Sequence, residues 1–267
     1  MSKEIIIKTK RTTNYAYLNS KRDATPTLFL HGFTGSHSSW GKVIGKIEVA
    51  AIALDLPGHG KSTFNNLDVN YSIDCWCEDL NEILNSLEVD KVNLCGYSMG
   101  GRLAIAFAVK YPKRVNKLIL ESTSCGIEGA EDKEERFKED LKLCSLIEAD
   151  LLKFVKKWED STLFINQRRR SLEGFLNQKK KRLSHNPIQL SKALRSFSQG
   201  QMDFYLHNIS KFEFPIVIIN GAEDKKYVQI GGQISALASS AKHYIIPNSG
   251  HNVHLENPAL FIDCLNL

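Results

Sequence analysis

Apolar and polar positions along the chain follow two rhythms, and the way these alternate outlines a fold. Short apolar runs come first: "EIIIK" (4–8), "NYAYLN" (14–19) and "TPTLFLHG" (25–32), the last ending at a glycine turn. "VAAIALDLPGHG" (49–60) repeats that form, and "KVNLCGYS" (91–98) and "VNKLILES" (115–122) are further strands. Between them, "SIDCWCEDLNEILNSL" (72–87) puts Ile73, Trp76, Leu80, Ile83 and Leu84 on one face at helical spacing. "MGGRLAIAFAVKYP" (99–112) is a second helix. Strands and helices in alternation predict a largely parallel sheet covered on both faces.

The rhythm breaks after "STSCGIEGAED" (122–132). From about residue 131 to about 208 the chain is charged and helix-periodic, without a convincing strand. Strand character returns at "FPIVIINGAED" (214–224) and "KHYIIPNSGH" (242–251), and a short helix ends the chain. The expected architecture is α/β: a mostly parallel sheet of the eight-strand type with helices on both faces. Residues 1–130 and 209–267 form its core, and 131–208 are an inserted helical cap. No repeat or low-complexity tract interrupts it.

Composition narrows the setting. The 267 residues are enough for one large α/β domain with an insertion, and 42% hydrophobic with 24% charged residues is ordinary for a globular protein. No apolar run approaches the ~18 residues a membrane span needs, so stable membrane insertion is not expected. The three isoleucines near the N-terminus are too short a patch for a signal-peptide core, which makes the cytoplasm the expected compartment. The six cysteines form neither CxxC pairs nor a zinc-like pattern, so reduced thiols and no metal are expected. The net charge of +5 is modest but uneven, with "QRRR" (167–170) and "KKKR" (179–182) in one central segment. Such runs are usually a solvated helical face; the sharper reading is a basic lining for an anionic ligand. Nucleic acid is disfavoured, because no aromatic-interleaved or helix-turn-helix pattern accompanies the charges.

Against this background Ser98 stands out. "GYSMGG" is G-x-S-x-G between a predicted strand and a predicted helix, the context of a nucleophile elbow. A side chain at position 96 or 100 would collide with the neighbouring strand or helix, so the glycines permit a strained turn that exposes one hydroxyl. A serine needs a histidine to take its proton and a carboxylate to orient that histidine. "NGAEDKKYV" places Asp224 just after a late strand, and "PNSGHNVHLENP" places His251 just after the last one. Both fall at the carboxyl edge of the sheet, with Ser98. Glu223 and His254 are the competitors; Glu223 is expected on the far side of its turn, and His254 at the start of the final helix. His31 and His59, at strand-end turns, read as structural hydrogen bonders. An oxyanion hole needs two convergent backbone N–H groups, expected from Met99 and from Phe33 in the loop after "LFLHGF".

With these residues assembled, the sequence resembles the α/β-hydrolase superfamily over its whole length. Within it, the chain is similar to the 2-succinyl-6-hydroxy-2,4-cyclohexadiene-1-carboxylate synthases of menaquinone biosynthesis. "LHGFTGS", "DLPGHGKS" and G-x-S-x-G are shared by many esterases and C–C hydrolases. "GQM", "GAEDKKYVQI" and "GHNVHLENP" also match, and "GYSMGGR", the glutamate-led "ESTSCGI" and "RLSHNP" together are much more specific. The resemblance implies a carbon–oxygen lyase that expels pyruvate from 2-succinyl-5-enolpyruvyl-6-hydroxy-3-cyclohexene-1-carboxylate, with neither metal nor organic cofactor. It implies that the Ser98–His251–Asp224 set acts as a general base. It also implies a tricarboxylate substrate held by Arg102, Arg136 and Arg182, with Tyr97 and Trp158 at matching substrate positions; Gln201 and His185 are further lining candidates. An arginine four residues past the nucleophile is odd for an esterase of neutral substrates. The alternative within the fold is a cofactor-independent carboxylesterase or C–C bond hydrolase with the same triad. The alternative of another class is a non-catalytic binding module, which the three triad candidates in order disfavour. A monomer or weak homo-oligomer is expected.

Overall fold

The computed structural model describes residues 2–19, 25–161 and 163–265. Among the described residues nine strands build one sheet: β1 (Lys3–Lys8), β2 (Thr12–Leu18), β3 (Thr27–Leu30), β4 (Ala51–Leu54), β5 (Thr63–Phe64), β6 (Val92–Tyr97), β7 (Val115–Glu121), β8 (Ile216–Gly221) and β9 (Ala241–Ile246). Their order is β1-β2-β4-β3-β6-β7-β8-β9, with the two-residue β5 beside β2. β3, β4 and β6 to β9 pair in parallel, while β2 runs antiparallel to β1, β4 and β5.

The parallel strands are apolar on both sides because both sides are covered. Leu28 and Leu30 of β3 face a core with Trp76, Leu80 and Leu103, from the helices Ile73–Ser86 and Met99–Lys110. Phe29, one residue out of phase, faces a second core with Trp40 and Phe261. Cys95 of β6 is fully buried in that second core. All six cysteines are free thiols.

Between β7 and β8 the described residues contain helices and no strand. The longer ones are Ala130–Ala149, Leu151–Glu159, Leu172–Leu183 and Pro187–Ser196. They enclose a small core of their own around Cys144, Ile147, Phe154, Val155, Leu190 and Leu194, which Phe33 joins from the loop after β3. His185 fastens this helical segment to the sheet's loops. Its Nδ1 accepts from the Gly60 N–H at 3.2 Å, and its Nε2 lies 3.0 Å from the Thr34 carbonyl. Gln189 adds a second fastening by bonding both backbone groups of Phe64.

Candidate active site

Ser98 follows β6 directly and caps the helix Met99–Lys110 with φ +51° and ψ −110°, a strained conformation for a residue with a side chain. The turn is held on both sides. The Ser98 N–H donates to the Glu121 carbonyl at 2.9 Å, and the Ser98 carbonyl accepts from Thr123 Oγ1 at 2.7 Å. The glycines have the expected steric reason: a Cβ on Gly96 would strike the Gly100 carbonyl, and one on Gly100 would strike that of Leu30.

Asp224 and His251 arrive from the loops after β8 and β9. His251 Nδ1 lies 2.6 Å from Asp224 Oδ2, and His251 Nε2 lies 3.2 Å from Ser98 Oγ. His251 is nearly buried, between the rings of Tyr97 and Tyr227. The carboxylate therefore fixes the proton on Nδ1 and turns the Nε2 lone pair toward the serine.

The cavity above Ser98 is lined by Phe33, Tyr97, Met99, Trp158 and all three sequence-predicted arginines. Met99 is the first residue of its helix, so its N–H has no carbonyl one turn back. Phe33 sits in the turn after β3, its ring edge-on to Trp158 at 5.6 Å. Burial pushes the Tyr97 phenol well above its usual pKa and keeps it neutral.

The arginines differ in their environments. Arg102 is 9% exposed, and no hydrogen bond or carboxylate partner engages its guanidinium among the described residues. Burial, with Arg136 as a further charge nearby, pushes its pKa down to about 10 against the opposite pull of Tyr227 and of Asp140, which lies too far off to pair with it. Arg136 donates to Asp140 at 3.0 Å and to Gln199 at 3.3 Å. Arg182 is buried, donates to Glu159 at 2.9 Å and lies over the Phe164 ring.

The expectations for Gln201, His185 and His254 need correction. Gln201 is exposed and does not line the cavity; Gln199, two residues earlier, does. His185 lies off the cavity and is spent on the Gly60 and Thr34 contacts. His254 is not in the final helix Pro258–Leu265 but in a separate turn, Val253–Glu256. There its Nδ1 lies 2.7 Å from the buried carboxylate of Glu121, its ring stacks on Trp40, and it borders the cavity. Glu223 does not line the cavity, and Asp224 is the carboxylate that meets His251. His31 bonds the Leu56 N–H through Nε2 and the Gly32 carbonyl through Nδ1, a structural role. Of the basic runs, Arg182 reaches the cavity and Lys179 pairs with Glu159, while the Arg170 side chain lies outside the described residues. Among the described residues no cluster of histidine, cysteine or carboxylate groups could hold a metal ion, and no helix is long and apolar enough to cross a membrane.

Residues 25–258 match the α/β hydrolase fold family. A Bacillus subtilis protein, named provisionally as a 2-succinyl-6-hydroxy-2,4-cyclohexadiene-1-carboxylate synthase, is 36% identical over 234 residues, 87% of this chain and 85% of its own length. An Enterobacter sp. (strain 638) synthase of the same name is 28% identical over 240 residues, 89% of each. Among solved structures, MenH from S. aureus aligns over 96% of both chains with a TM-score of 0.87 at 30% identity. A thermophilic esterase from Thermogutta terrifontis shares the fold at 21% identity and a TM-score of 0.82, over 98% of this chain and 96% of its own. The chain belongs to the α/β hydrolase fold family and, within it, to the group of the 2-succinyl-6-hydroxy-2,4-cyclohexadiene-1-carboxylate synthases.

Proposed function

We propose that the protein is a lyase of menaquinone biosynthesis. It would convert 2-succinyl-5-enolpyruvyl-6-hydroxy-3-cyclohexene-1-carboxylate to 2-succinyl-6-hydroxy-2,4-cyclohexadiene-1-carboxylate and pyruvate. Ser98, polarised by His251 and Asp224, takes the ring proton next to the succinyl ketone. The electron pair moves first onto the ketone oxygen, where the Phe33 and Met99 amides meet the developing charge. As it returns, the ring double bond shifts by one position and the C–O bond to the enolpyruvyl group breaks. The enolpyruvate leaves with that electron pair, takes up the abstracted proton and becomes pyruvate. No acyl-enzyme forms, and the step needs no metal or organic cofactor.

The observation that carries this reading is Arg102: a buried guanidinium without a carboxylate partner among the described residues, one turn beyond Ser98 in the same cavity. A neutral ester gives a protein no reason to keep such a charge, whereas a tricarboxylate does. Arg136 and Arg182 are the further carboxylate contacts, with Tyr97 and Trp158 as walls. In this reading residues 131–208 are a cap unit over the 1–130 and 209–267 core, and the enzyme works in the cytoplasm. The deciding experiment supplies the enolpyruvyl substrate and a nitrophenyl ester to the same preparation. Pyruvate release far faster than ester turnover supports the lyase, and the reverse order supports a carboxylesterase.

A further inference from the structure

Two cavities meet beneath the helical segment. The one at Ser98 holds about 110 Å³, whereas pockets that take ligands of this substrate's size span about 300–1,000 Å³. Beside it lies a larger chamber of about 630 Å³, walled by the helix Leu172–Leu183 on one side and the turn from Ser38 to Lys42 on the other. Ser39, Gln178 and Leu255 line both, so the chambers adjoin.

Two side chains of the larger chamber suit an anion. Gln167 lines it and is 7% exposed, yet neither end of its amide has a hydrogen-bond partner among the described residues. A buried amide without partners is costly, and a carboxylate there would accept from its Nε2. Lys181 lines the same chamber, half-buried, with one long contact of 3.4 Å to the Ser38 carbonyl. No carboxylate of the described residues pairs with it, and burial pushes its pKa down. Lys42, Glu173 and Glu256 also line the chamber, so its formal charges balance and the attraction for a carboxylate is local to Lys181 and Gln167.

We infer that this chamber is a second subsite, in which Lys181 and Gln167 join one of the cavity's arginines in holding a carboxylate-tipped arm of the substrate while the reacting ring stays at Ser98. The inference rests on the function proposed above and extends it. Both the enolpyruvyl and the succinyl arm end in a carboxylate, the shared chemistry the subsite reads.

The test uses the full chain with Lys181→Met, Gln167→Leu and the charge-conserving Lys181→Arg. In steady-state pyruvate release, KM should rise about tenfold in Lys181→Met and several-fold in Gln167→Leu, with a smaller loss in kcat. Lys181→Arg should recover most of the loss. Competitive inhibition by pyruvate and by succinate separates the arms: the inhibitor that weakens about fivefold or more in Lys181→Met marks the arm bound there. KM within twofold of the parent in both Lys181→Met and Gln167→Leu, with both inhibitors unchanged, overturns the inference. If the parent releases no pyruvate, the proposed function fails, and saturation-transfer NMR with succinate and pyruvate then reads the chamber directly. Binding that disappears in Lys181→Met keeps the subsite; equal binding in parent and variant removes it. Should Lys181→Met fail to fold, Gln167→Leu carries the same comparison.

Discussion

Glu121 accepts hydrogen bonds from both the backbone N–H and the Nδ1 of His254, at 2.9 and 2.7 Å. Its own carbonyl accepts from the Ser98 N–H at 2.9 Å, so one residue at the end of β7 ties the Ser98 turn to the histidine loop. The carboxylate is fully buried, and removing it strands two buried donors. Glu121→Ala should therefore cost on the order of 2–4 kcal/mol. Glu121→Gln, which keeps one acceptor, should cost less than half as much. Thermal melting checks both, and equal melting of the two variants would refute the clamp.

The junction between sheet and helical segment carries a pH dependence with a definite sign. The rings of His31, His59 and His185 follow one another edge-on at 5.0 and 5.5 Å. Burial is the largest cause lowering each: His31 to about 4, His59 well below its ordinary value, and His185 in the same direction. The folded protein keeps these rings neutral, while the unfolded chain takes up protons below about pH 6.5. The unfolded state then binds more protons, so stability is full above about pH 6.5 and is lost as pH falls toward 4. Each ring contributes up to ~1.4 kcal/mol per pH unit in that window. His185→Asn keeps an acceptor for Gly60 and removes one titrating group. It should melt lower than the parent at pH 8 but show a shallower loss between pH 6.5 and 4.5. Parallel curves for the two proteins would count against the assignment.

If Ser98, His251 and Asp224 act as one unit, Ser98→Ala should lower pyruvate release by about three powers of ten or more. Asp224→Asn should be nearly as damaging, because the amide no longer fixes the Nδ1 proton. Neither change empties a core, so melting should hardly move. Near-parent turnover in Ser98→Ala would exclude the general-base scheme.

What the sequence made legible follows the range over which each signal acts. Ser98 was readable because Gly96 and Gly100 encode a local collision with backbone, and Asp224 and His251 because each ends a strand. Arg102 was readable by its one-turn offset from the serine. The pairing of Glu121 with His254 was not, since it spans 133 residues and no local pattern announces it. The same holds for Glu159, which takes up Arg182 from another helix. The helix Lys225–Leu237 was hidden by Gly231 and Gly232 in its interior, which weaken the helical signal. Gly231 is there for packing: a Cβ would meet Asn220 and His243, with the nearest His243 atom at 2.7 Å. Gln199 and Gln201 differ only in which side of a short 3-10 turn reaches Arg136, a distinction no spacing rule makes.

Arg102 and Arg182 should respond in opposite ways to removal, and the contrast tests the functional reading. Arg182 is paired with Glu159 inside the protein, so Arg182→Ala leaves a buried carboxylate whose remaining cation among the described residues is Lys179 at 3.6 Å. Such losses cost about 3–5 kcal/mol when no partner remains and less when one does, so this variant should melt lower whatever the substrate. Arg102 is buried without a carboxylate partner among the described residues, and its pKa is depressed to about 10. For a base, a folded pKa below the unfolded one is a stability penalty, fully present below pH 10 and relieved only as pH rises beyond it. At neutral pH Arg102→Met should therefore raise the melting temperature, by the equivalent of about 1–3 kcal/mol. The same variant should lose about 30-fold or more in kcat/KM for the tricarboxylate, since a desolvated partner of a substrate carboxylate is gone. Turnover of a small neutral ester should change far less, because that contact is missing from its transition state. Rising salt should weaken capture by the parent more than by Arg102→Met, as the steering charge is screened. A variant that is less stable, or that loses both substrates equally, would make Arg102 a structural cation and return the site to the esterase reading.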